Sequence, residues 1–418
     1  MAATVYTDSP AAREALHRRT LAVVMASQVF SGAGLAAGIT VGALLAADML
    51  GTSSLSGLPV ALFTAGSAGA ALTVGRLSQC FGRRTGLTAG YATATIGGAG
   101  VVLAAAVDSI PLLLLFLLVY GAGTATNLQA RYAGADLVGP QHRGRAVSSV
   151  LVATTLGAVA GPNLVTATGR VAQHWGVPAL AGPFGLAALA YAVAGTVLFA
   201  LLRPDPLQIS RSIAAAEQRA GAGPAPDTGA KPYAGGVTAG AVTMVITQIV
   251  MVAVMTMTPI HMQTHGHDLS ATGVVIAVHI GAMYLPSPLT GHLVDRLGRT
   301  PVAAAAGLTL LAAGIVAATA PTGSVAALAV ALALLGLGWN LGLVSGTAMI
   351  TDALPLNTRA RTQGTIDLCV ALAGAGGGIA SGMILAATSY ATLALGGGIL
   401  ALAVIPLITR RRPDGVTA

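Results

Sequence analysis

The chain has 418 residues, of which 55% are hydrophobic and only 8% charged, and its formal net charge at pH 7 is +8. Soluble domains carry roughly 25% charged residues, so this composition excludes an ordinary soluble protein and indicates one that lies mostly in lipid. The two cysteines exclude a disulfide framework and a zinc site built on cysteine pairs.

Twelve apolar runs predict twelve membrane-spanning helices, because runs of about 20 residues are typical of spanning helices and not of barrel strands. The first run is too long for the apolar core of a cleavable signal peptide, so it is predicted to be the first span. In chain order the predicted spans cover residues 21–45, 57–75, 86–107, 110–130, 146–167, 181–202, 237–260, 271–290, 301–320, 325–346, 365–386 and 391–409.

Basic residues fall in alternate loops between these spans. If the chain starts in the cytoplasm, all 21 lysines and arginines except Arg170 lie in the terminal segments or the cytoplasmic loops. The positive-inside rule therefore predicts a multi-pass protein of the cell membrane with both termini in the cytoplasm. The same rule accounts for the net positive charge, so the charge gives no indication of a nucleic-acid partner.

One long polar segment separates the sixth span from the seventh. The segment from Arg203 to Lys231 is rich in Pro, Gly and Ala, and it predicts a flexible linker with one surface helix around Ile213–Arg219. The predicted organisation is an N-terminal six-helix half (1–203), a cytoplasmic linker (204–236) and a C-terminal six-helix half (237–418).

The two halves are predicted to be repeats, because two separate motifs recur at one offset. Each motif reappears 216 residues later in the chain. The matched pairs are Gly75 with Gly291, Leu77 with Leu293, Gly82 with Gly298, Arg83 with Arg299, Asp136 with Asp352, Arg143 with Arg359 and Arg145 with Arg361. A parallel duplication of six helices is a transporter architecture with its substrate site near mid-membrane.

The second copy of the loop motif reads GHLVDRLGR from Gly291 to Arg299. It resembles the signature of the loops after spans 2 and 8 in the major facilitator superfamily, and the likeness extends over nearly the whole chain. The resemblance implies an all-α membrane protein with twelve transmembrane helices in two pseudo-symmetric six-helix halves. It also implies that these loops latch the halves on the cytoplasmic side.

The residues expected to form these gating loops are Gly75, Arg83, Gly291, Asp295, Arg296, Gly298 and Arg299. The first copy departs from the pattern. It has Gln79 and Cys80 at the positions of Asp295 and Arg296, which predicts a weaker latch.

The fifth span carries Gly157, Gly161 and Pro162, a pattern similar to the glycine–proline motif of drug exporters in the superfamily. Glycines allow helices to approach closely and proline bends them, so these residues are predicted to form a hinge. Many drug/proton antiporters of the superfamily resemble one another in an arginine in span 4, but the corresponding position here is Leu117.

Methionines and histidines cluster on the seventh and eighth spans. Met251 and Met255 lie one turn apart on one helix, and His279 and Met283 lie one turn apart on the next. The helical rise places the two pairs at similar depths. Thioethers and neutral imidazole suit Cu(I), so these four residues are the candidate metal ligands.

This arrangement resembles that of the bacterial copper importers of the CcoA-like branch, which carry MxxxM in span 7 and HxxxM in span 8. The resemblance implies copper uptake. Relatives of that branch are associated with riboflavin uptake, so the substrate stays open. An organic cargo in a methionine-rich pocket is the alternative, and its predicted contacts are Gln28, Tyr120, Asn127, Gln248, Trp339 and Asn340.

The predicted function is secondary transport by alternating access, with no enzymatic chemistry and no cofactor, by a monomer in the lipid bilayer. Copper import is the first hypothesis for the cargo, which would be a metal ion. Proton-linked export of drugs or small metabolites and uptake of a flavin-type vitamin are the others. A receptor without transport is less favoured, because duplicated latch loops suit a machine with two moving halves.

Overall fold

The computed structural model describes residue 6 and residues 9–50, 57–219 and 234–409. These residues form helices and turns, and they contain no strand. The helices, numbered in chain order, are α1 (Pro10–Leu50), α2 (Gly57–Phe81), α3 (Arg83–Ala106), α4 (Ile110–Tyr120), α5 (Ala122–Ala135), α6 (Arg143–Asn163), α7 (Val165–His174), α8 (Gly182–Leu201), α9 (Pro206–Arg219), α10 (Ala234–Thr264), α11 (Leu269–Tyr284), α12 (Ser287–Leu297), α13 (Arg299–Thr319), α14 (Val325–Ala353), α15 (Arg359–Ala387), α16 (Tyr390–Ala401) and α17 (Val404–Thr409).

Each predicted span lies on helix, and the twelve-helix fold class is confirmed. Ten helical segments among the described residues are long and apolar enough to cross a membrane. The helices α1 and α2 complete the twelve. The helix α1 begins at Pro10, well before the apolar run at residue 21, because its first turns consist of good helix formers such as Ala, Glu, Leu and Arg.

Several predicted spans are interrupted where the sequence analysis expected one helix. Gly121 separates α4 from α5, and Leu164 separates α6 from α7. The eighth span breaks between Tyr284 and Ser287, where Pro286 lacks the backbone N–H that a continuous helix would need.

The polar segment after the sixth span is more ordered than predicted. The helix α9 begins at Pro206 rather than near Ile213, and Leu207 and Ile209 on it are buried. Its Arg211 donates hydrogen bonds to the backbone oxygens of Gln79 and Leu356 at 3.0 and 3.3 Å. The predicted helix around Ile213–Arg219 is therefore present but starts earlier, and residues 206–212 are helical where a flexible linker was expected. Residues 220–233 lie outside the described part of the chain.

The chain divides into two compact units. Unit one comprises Met1–Gly139, Ser149–Lys231 and Leu354–Leu372. Unit two comprises Pro140–Ser148, Pro232–Ala353 and Ala373–Ala418. Each unit therefore includes a short segment from the other half of the sequence.

The core of unit one contains a cluster of buried rings. Tyr120 packs edge-to-face against Phe184 and Tyr191, with ring centroids 5.2 and 5.7 Å apart. Glycine brings the helices close enough for these contacts, since a Cβ atom on Gly97 would lie 2.4 Å from the backbone N of Tyr120. Small residues at helix crossings supply packing energy in lipid, where no hydrophobic drive between helices exists.

The core of unit two is organised around α14, which is buried over most of its length and packs against α10, α11 and α13. Gly342 meets Thr247 of α10, because a Cβ atom there would lie 2.6 Å from the Thr247 methyl carbon. Gly336 lies equally close to α11, because a Cβ atom there would lie 2.6 Å from the backbone O of His279. The helix α14 therefore fixes where the candidate residues of α10 and α11 lie.

Candidate functional site

The duplicated loops have the same backbone conformation. Gly82, between α2 and α3, has φ 95° and ψ 165°. Gly298, between α12 and α13, has φ 96° and ψ 168°. This region of positive φ is readily adopted only by glycine. The match at the predicted offset agrees with a duplication at the level of backbone geometry as well as of sequence.

The residues before these glycines bind helix N-termini. Within unit two, Asp295 accepts the backbone N–H groups of Gly144 and Arg145 at 2.8 and 3.0 Å. The equivalent residue of unit one, Gln79, accepts the N–H of Ala360 at 2.8 Å. A carboxylate at a helix N-terminus is favoured by the unpaired N–H groups and the helix dipole.

The glutamine makes contacts that an aspartate could not. Besides accepting at Ala360, the side-chain amide of Gln79 donates to the backbone oxygens of Asn357 and Leu356 at 2.6 and 3.3 Å. The first copy of the motif thus keeps its helix contact in uncharged form. Whether its latch is weaker, as the sequence analysis expects, stays a prediction.

Two further gating residues form ion pairs at equivalent places in the repeat. Arg83 Nε lies 2.7 Å from Asp136 Oδ2, and its Nη2 donates to Gln363 at 2.6 Å. Arg299 Nε lies 2.7 Å from Asp352 Oδ2. Arg143 also pairs with Asp352.

The remaining gating residues differ in their surroundings. Gly75 and Gly291 lie at close helix contacts within their units. A Cβ atom on Gly75 would lie 2.8 Å from Gly364 Cα, and one on Gly291 would lie 2.5 Å from Gly144 O. Arg296 is exposed.

The predicted hinge residues lie on α6. Gly157 packs directly against α1, since a Cβ atom there would lie 1.9 Å from Val29 O. Gly161 is buried, and the side chain of Pro162 lies outside the described residues. Close helix packing therefore accounts for Gly157 without reference to the direction of transport.

The predicted cargo contacts of unit one form a buried polar network. Gln28 donates to Asn127 O and to Thr154 at 3.0 and 3.1 Å, and it accepts from the Tyr91 hydroxyl at 2.7 Å. Asn127 donates to Ser31 at 2.7 Å. The hydroxyl of Tyr120 donates to Gly34 O. These contacts satisfy groups that would be costly to bury unpaired.

The predicted cargo contacts of unit two come closer together. The indole N–H of Trp339 donates to Gln248 Oε1 at 2.7 Å, and Tyr284 packs edge-on against the Trp339 ring. Gln248 is half-exposed, and a Cβ atom on Gly374 would lie 3.0 Å from its Nε2. Asn340 lies apart, buried and bonded to Met283 O and Ser287 at 2.7 Å each.

The four candidate metal ligands lie on two helices of unit two. Met251 is buried and Met255 is half-buried on α10, and Met283 is buried on α11. Met257 of the same helix is buried as well. Among the described residues, no three His, Cys, Asp or Glu side chains form a group that could hold a metal ion.

His279 is fully buried on α11. Its Nδ1 lies 2.9 Å from Leu332 O. Because a carbonyl only accepts, Nδ1 carries the proton and Nε2 carries a lone pair. That Nε2 is buried and has no hydrogen-bond partner in the described part of the chain.

A buried ion pair was not anticipated from the sequence. Arg131 Nη2 on α5 lies 2.7 Å from Asp367 Oδ1 on α15, and both belong to unit one. The Tyr132 hydroxyl donates to the same oxygen at 3.2 Å. The available signal was Asp367 itself, an acidic residue inside an apolar helix, which needs a counter-charge. The positive-inside rule gives Arg131 only a topological role.

The sequence matches the family model of the Major Facilitator Superfamily over residues 21–339 and 240–417. The chain belongs to the Major Facilitator Superfamily. The superfamily consists of multi-pass membrane transporters for small molecules, not of enzymes, so the predictions of a membrane transporter and of a non-enzyme are confirmed.

Relatives within the superfamily cover nearly the whole chain. The MFS-type transporter YdeG of Bacillus subtilis (strain 168) is 59% identical over 97% of this chain and 95% of its own length. The riboflavin transporter RfnT of Brucella anthropi is 30% identical over 99% of both chains. The human organic anion transporter MFSD10 (TETRAN) has the same fold, with a TM-score of 0.74 at 16% identity over 94% of this chain and 99% of its own.

Proposed function

We propose that this protein imports a flavin-type vitamin by alternating access. The observation that carries the proposal is the group formed by Gln248, Trp339 and Tyr284. A full-length relative that is a riboflavin transporter points to the same class of cargo. Binding sites for flat ligands combine aromatic walls with a few placed polar groups, which is the composition of this group.

The side-chain amide of Gln248 is oriented to bind. Its oxygen is held by the Trp339 indole at 2.7 Å, so its Nε2 group is the part left to donate to a ligand carbonyl. Gly374 has no side chain to cover that Nε2. The amide can therefore pair with the carbonyl edge of a flavin ring while the aromatic rings contact its face.

The proposed machine has two moving halves, residues 1–203 and 237–418, joined by residues 204–236. Both termini lie in the cytoplasm, the protein resides in the cell membrane, and one chain suffices. The distribution of arginines supports this topology. The helix-capping contacts of Gln79 and Asp295 are the latches that open and close with each cycle.

Growth of a riboflavin auxotroph that lacks its own importer tests the cargo. We expect this protein to restore growth at low riboflavin and to take up radiolabelled riboflavin. Gln248→Ala should lower that uptake about tenfold, as expected for one lost hydrogen bond in a binding site. Gln173→Ala, at an exposed glutamine of α7, is the matched control and should leave uptake unchanged. No rescue by the unmodified protein would refute the proposal.

Copper import is the second candidate, and His279 is the observation that favours it. A buried imidazole Nε2 without a partner is a potential ligand for a soft ion, and the thioether of Met283 lies one turn away on the same helix. The relatives named above do not support the copper-importer branch. Radioactive copper uptake tests this candidate: unchanged uptake in a Met251→Ala, His279→Ala double variant would exclude the site.

A further inference from the structure

The buried ion pair of Arg131 and Asp367 is not part of the loop motif or of the cargo group. Their side chains are 1% and 5% exposed. Asp367 Oδ1 receives both Arg131 and the Tyr132 hydroxyl. Asp367 Oδ2 is buried and has no hydrogen-bond partner among the described residues. The carboxylate thus has one neutralised oxygen and one vacant acceptor.

The pair does not belong to the duplicated framework. At the repeat offset, Arg131 corresponds to Thr347 and Asp367 to Leu151, so neither charge has a counterpart. The gating pairs, in contrast, occur in both copies. A buried charge pair adds little net stability compared with apolar residues of similar size. A single, unrepeated pair inside a spanning helix therefore calls for a functional explanation.

Among the charged and polar groups around Asp367, Arg131 is its counter-ion. From α5, Arg131 and Tyr132 face the carboxylate. From α3, Arg83 lies with its guanidinium carbon 5.6 Å from the centre of the Tyr132 ring, but Arg83 already pairs with Asp136. On α15 itself, Gln363 accepts from Arg83.

We propose that Asp367 is the proton-binding site of the transport cycle and that the proton competes with Arg131 for its carboxylate. Protonation converts the carboxylate to a neutral acid and removes its attraction for the guanidinium. The segment 354–372, which carries Asp367, then separates from α5. When the proton leaves, the carboxylate pairs with Arg131 again and the segment returns. One proton is bound and released, and no other reactant is needed.

The energetics make the two events exclusive. A carboxylate that leaves Arg131 would be a buried charge without its counter-ion, so it keeps its proton in that state. The Arg131 guanidinium then keeps its hydrogen bonds to the Leu128 carbonyl and the Tyr132 hydroxyl. A paired carboxylate holds its charge, so it excludes the proton. Proton occupancy and the position of segment 354–372 are therefore linked, as any ligand that prefers one of two states shifts their populations. This inference rests on the proposed alternating cycle but not on the identity of the cargo.

The two native cysteines allow a direct test without cargo. Cys80 on α2 and Cys369 on α15 are both free and exposed, both belong to unit one, and the chain has no other cysteine. Nitroxide labels on both, in the full chain in lipid nanodiscs, report the distance between α2 and segment 354–372 by pulsed electron–electron resonance. We expect a longer-distance population to grow as the pH falls from 8 to 5. For one linked proton, the ratio of the two populations changes by up to about tenfold per pH unit.

Three variants complete the test. In Asp367→Asn the longer distance should dominate at every pH, since the amide resembles the protonated acid. Asp48→Asn, at an exposed carboxylate of α1, should respond to pH like the unmodified protein. If Asp367→Asn fails to accumulate because Arg131 loses its carboxylate, the double variant Arg131→Gln, Asp367→Asn removes both charges and should also be insensitive to pH. A pH-independent distance in the unmodified protein, or a normal pH response in either Asp367 variant, would overturn the proposal.

Transport measurements separate this inference from the proposed cargo. In proteoliposomes, Asp367→Asn should lose riboflavin accumulation driven by a pH gradient while keeping riboflavin exchange at equal pH. If riboflavin is not carried at all, neither rate is measurable for any variant, whereas the spin-label distances still decide on the proton site. Gradient-driven accumulation that survives in Asp367→Asn would contradict the proposal.

Discussion

Two ion pairs of the same chemistry occupy equivalent positions in the repeat but differ in burial. The side chains of Arg83 and Asp136 are both 0% exposed, whereas those of Arg299 and Asp352 are 20% and 26% exposed. Removing one partner of a fully buried pair leaves an uncompensated buried charge. In a partly exposed pair, water solvates the charge that remains. Asp352 also keeps Arg143 when Arg299 is lost.

Arg83→Gln should therefore be much more damaging than Arg299→Gln. We expect the first to lower the free energy of unfolding by about 3–5 kcal/mol. We expect the second to lower it by about 1 kcal/mol or less. Chemical denaturation of the detergent-solubilised protein measures both. The double variant Arg83→Gln, Asp136→Asn should recover part of the loss, and equal losses in the two single variants would contradict this account.

The carboxylate of Asp295 should stabilise more than that of an ordinary helix cap. It is 4% exposed and accepts two backbone N–H groups of α6, so Asp295→Asn should cost about 1–2 kcal/mol of unfolding free energy. Asp268 caps α11 from an exposed position, at 2.7 Å from the N of Ala271. Asparagine caps as well as aspartate, so Asp268→Asn is the control and should be nearly neutral. A similar loss in both variants would show that burial of Asp295 contributes nothing.

At the scale of helices, glycine decides which elements approach closely. A Cβ atom on Gly157 would lie within 2.6 Å of two backbone atoms of α1, at Val29 and Ala33, and backbone cannot rotate away. Gly157→Ala should thus force α1 and α6 apart and cost about 1–3 kcal/mol, measured by the same denaturation. Gly376 of α15 has no atom within 4 Å of its Cβ position, so Gly376→Ala should be neutral or stabilising by about 0.5–1 kcal/mol. A stable Gly157→Ala protein would show that this crossing is loose.

The helices were predictable because hydropathy alone determines where a chain can cross lipid. The ends and breaks were not. Whether α1 continues to Pro10, or α9 starts at Pro206, depends on polar residues that are compatible with either helix or loop. Tertiary contacts decide which of the two conformations these residues adopt. The hydrogen bond between Arg211 and Leu356, 145 residues apart in sequence, is one such tertiary contact.

The candidate site was predictable only where the repeat made it visible. The matching offset of the loop motifs predicts Arg83 and Arg299 as gating residues, and the matching φ angles of Gly82 and Gly298 agree with the duplication. Arg131 and Asp367 have no repeat and lie 236 residues apart, so nothing in the sequence joined them. Similarly, the sequence does not distinguish Gln28 from Gln248, but Gln28 is fully buried whereas Gln248 is half-exposed.

For the whole molecule, the composition of the two units has a consequence for folding. Unit one includes residues 354–372, which the first half of the chain does not contain. In the absence of that segment, Arg131 lacks Asp367 and Arg83 lacks Gln363. Such a fragment must either bury the Arg131 guanidinium without its carboxylate or open its packing to water, and both alternatives are costly.

A fragment of residues 1–231 expressed alone should therefore be degraded, whereas co-expression with residues 232–418 should yield a stable complex. Fluorescence-detected size-exclusion chromatography of both preparations measures the recovered protein. The cause can be isolated, because Asp367 compensates a specific charge. The Arg131→Gln form of the fragment should accumulate at a higher level than the unmodified fragment, since it no longer buries a cation without its carboxylate. If the unmodified fragment alone is as stable as the full chain, or if Arg131→Gln makes no difference to it, then segment 354–372 is not needed to complete unit one.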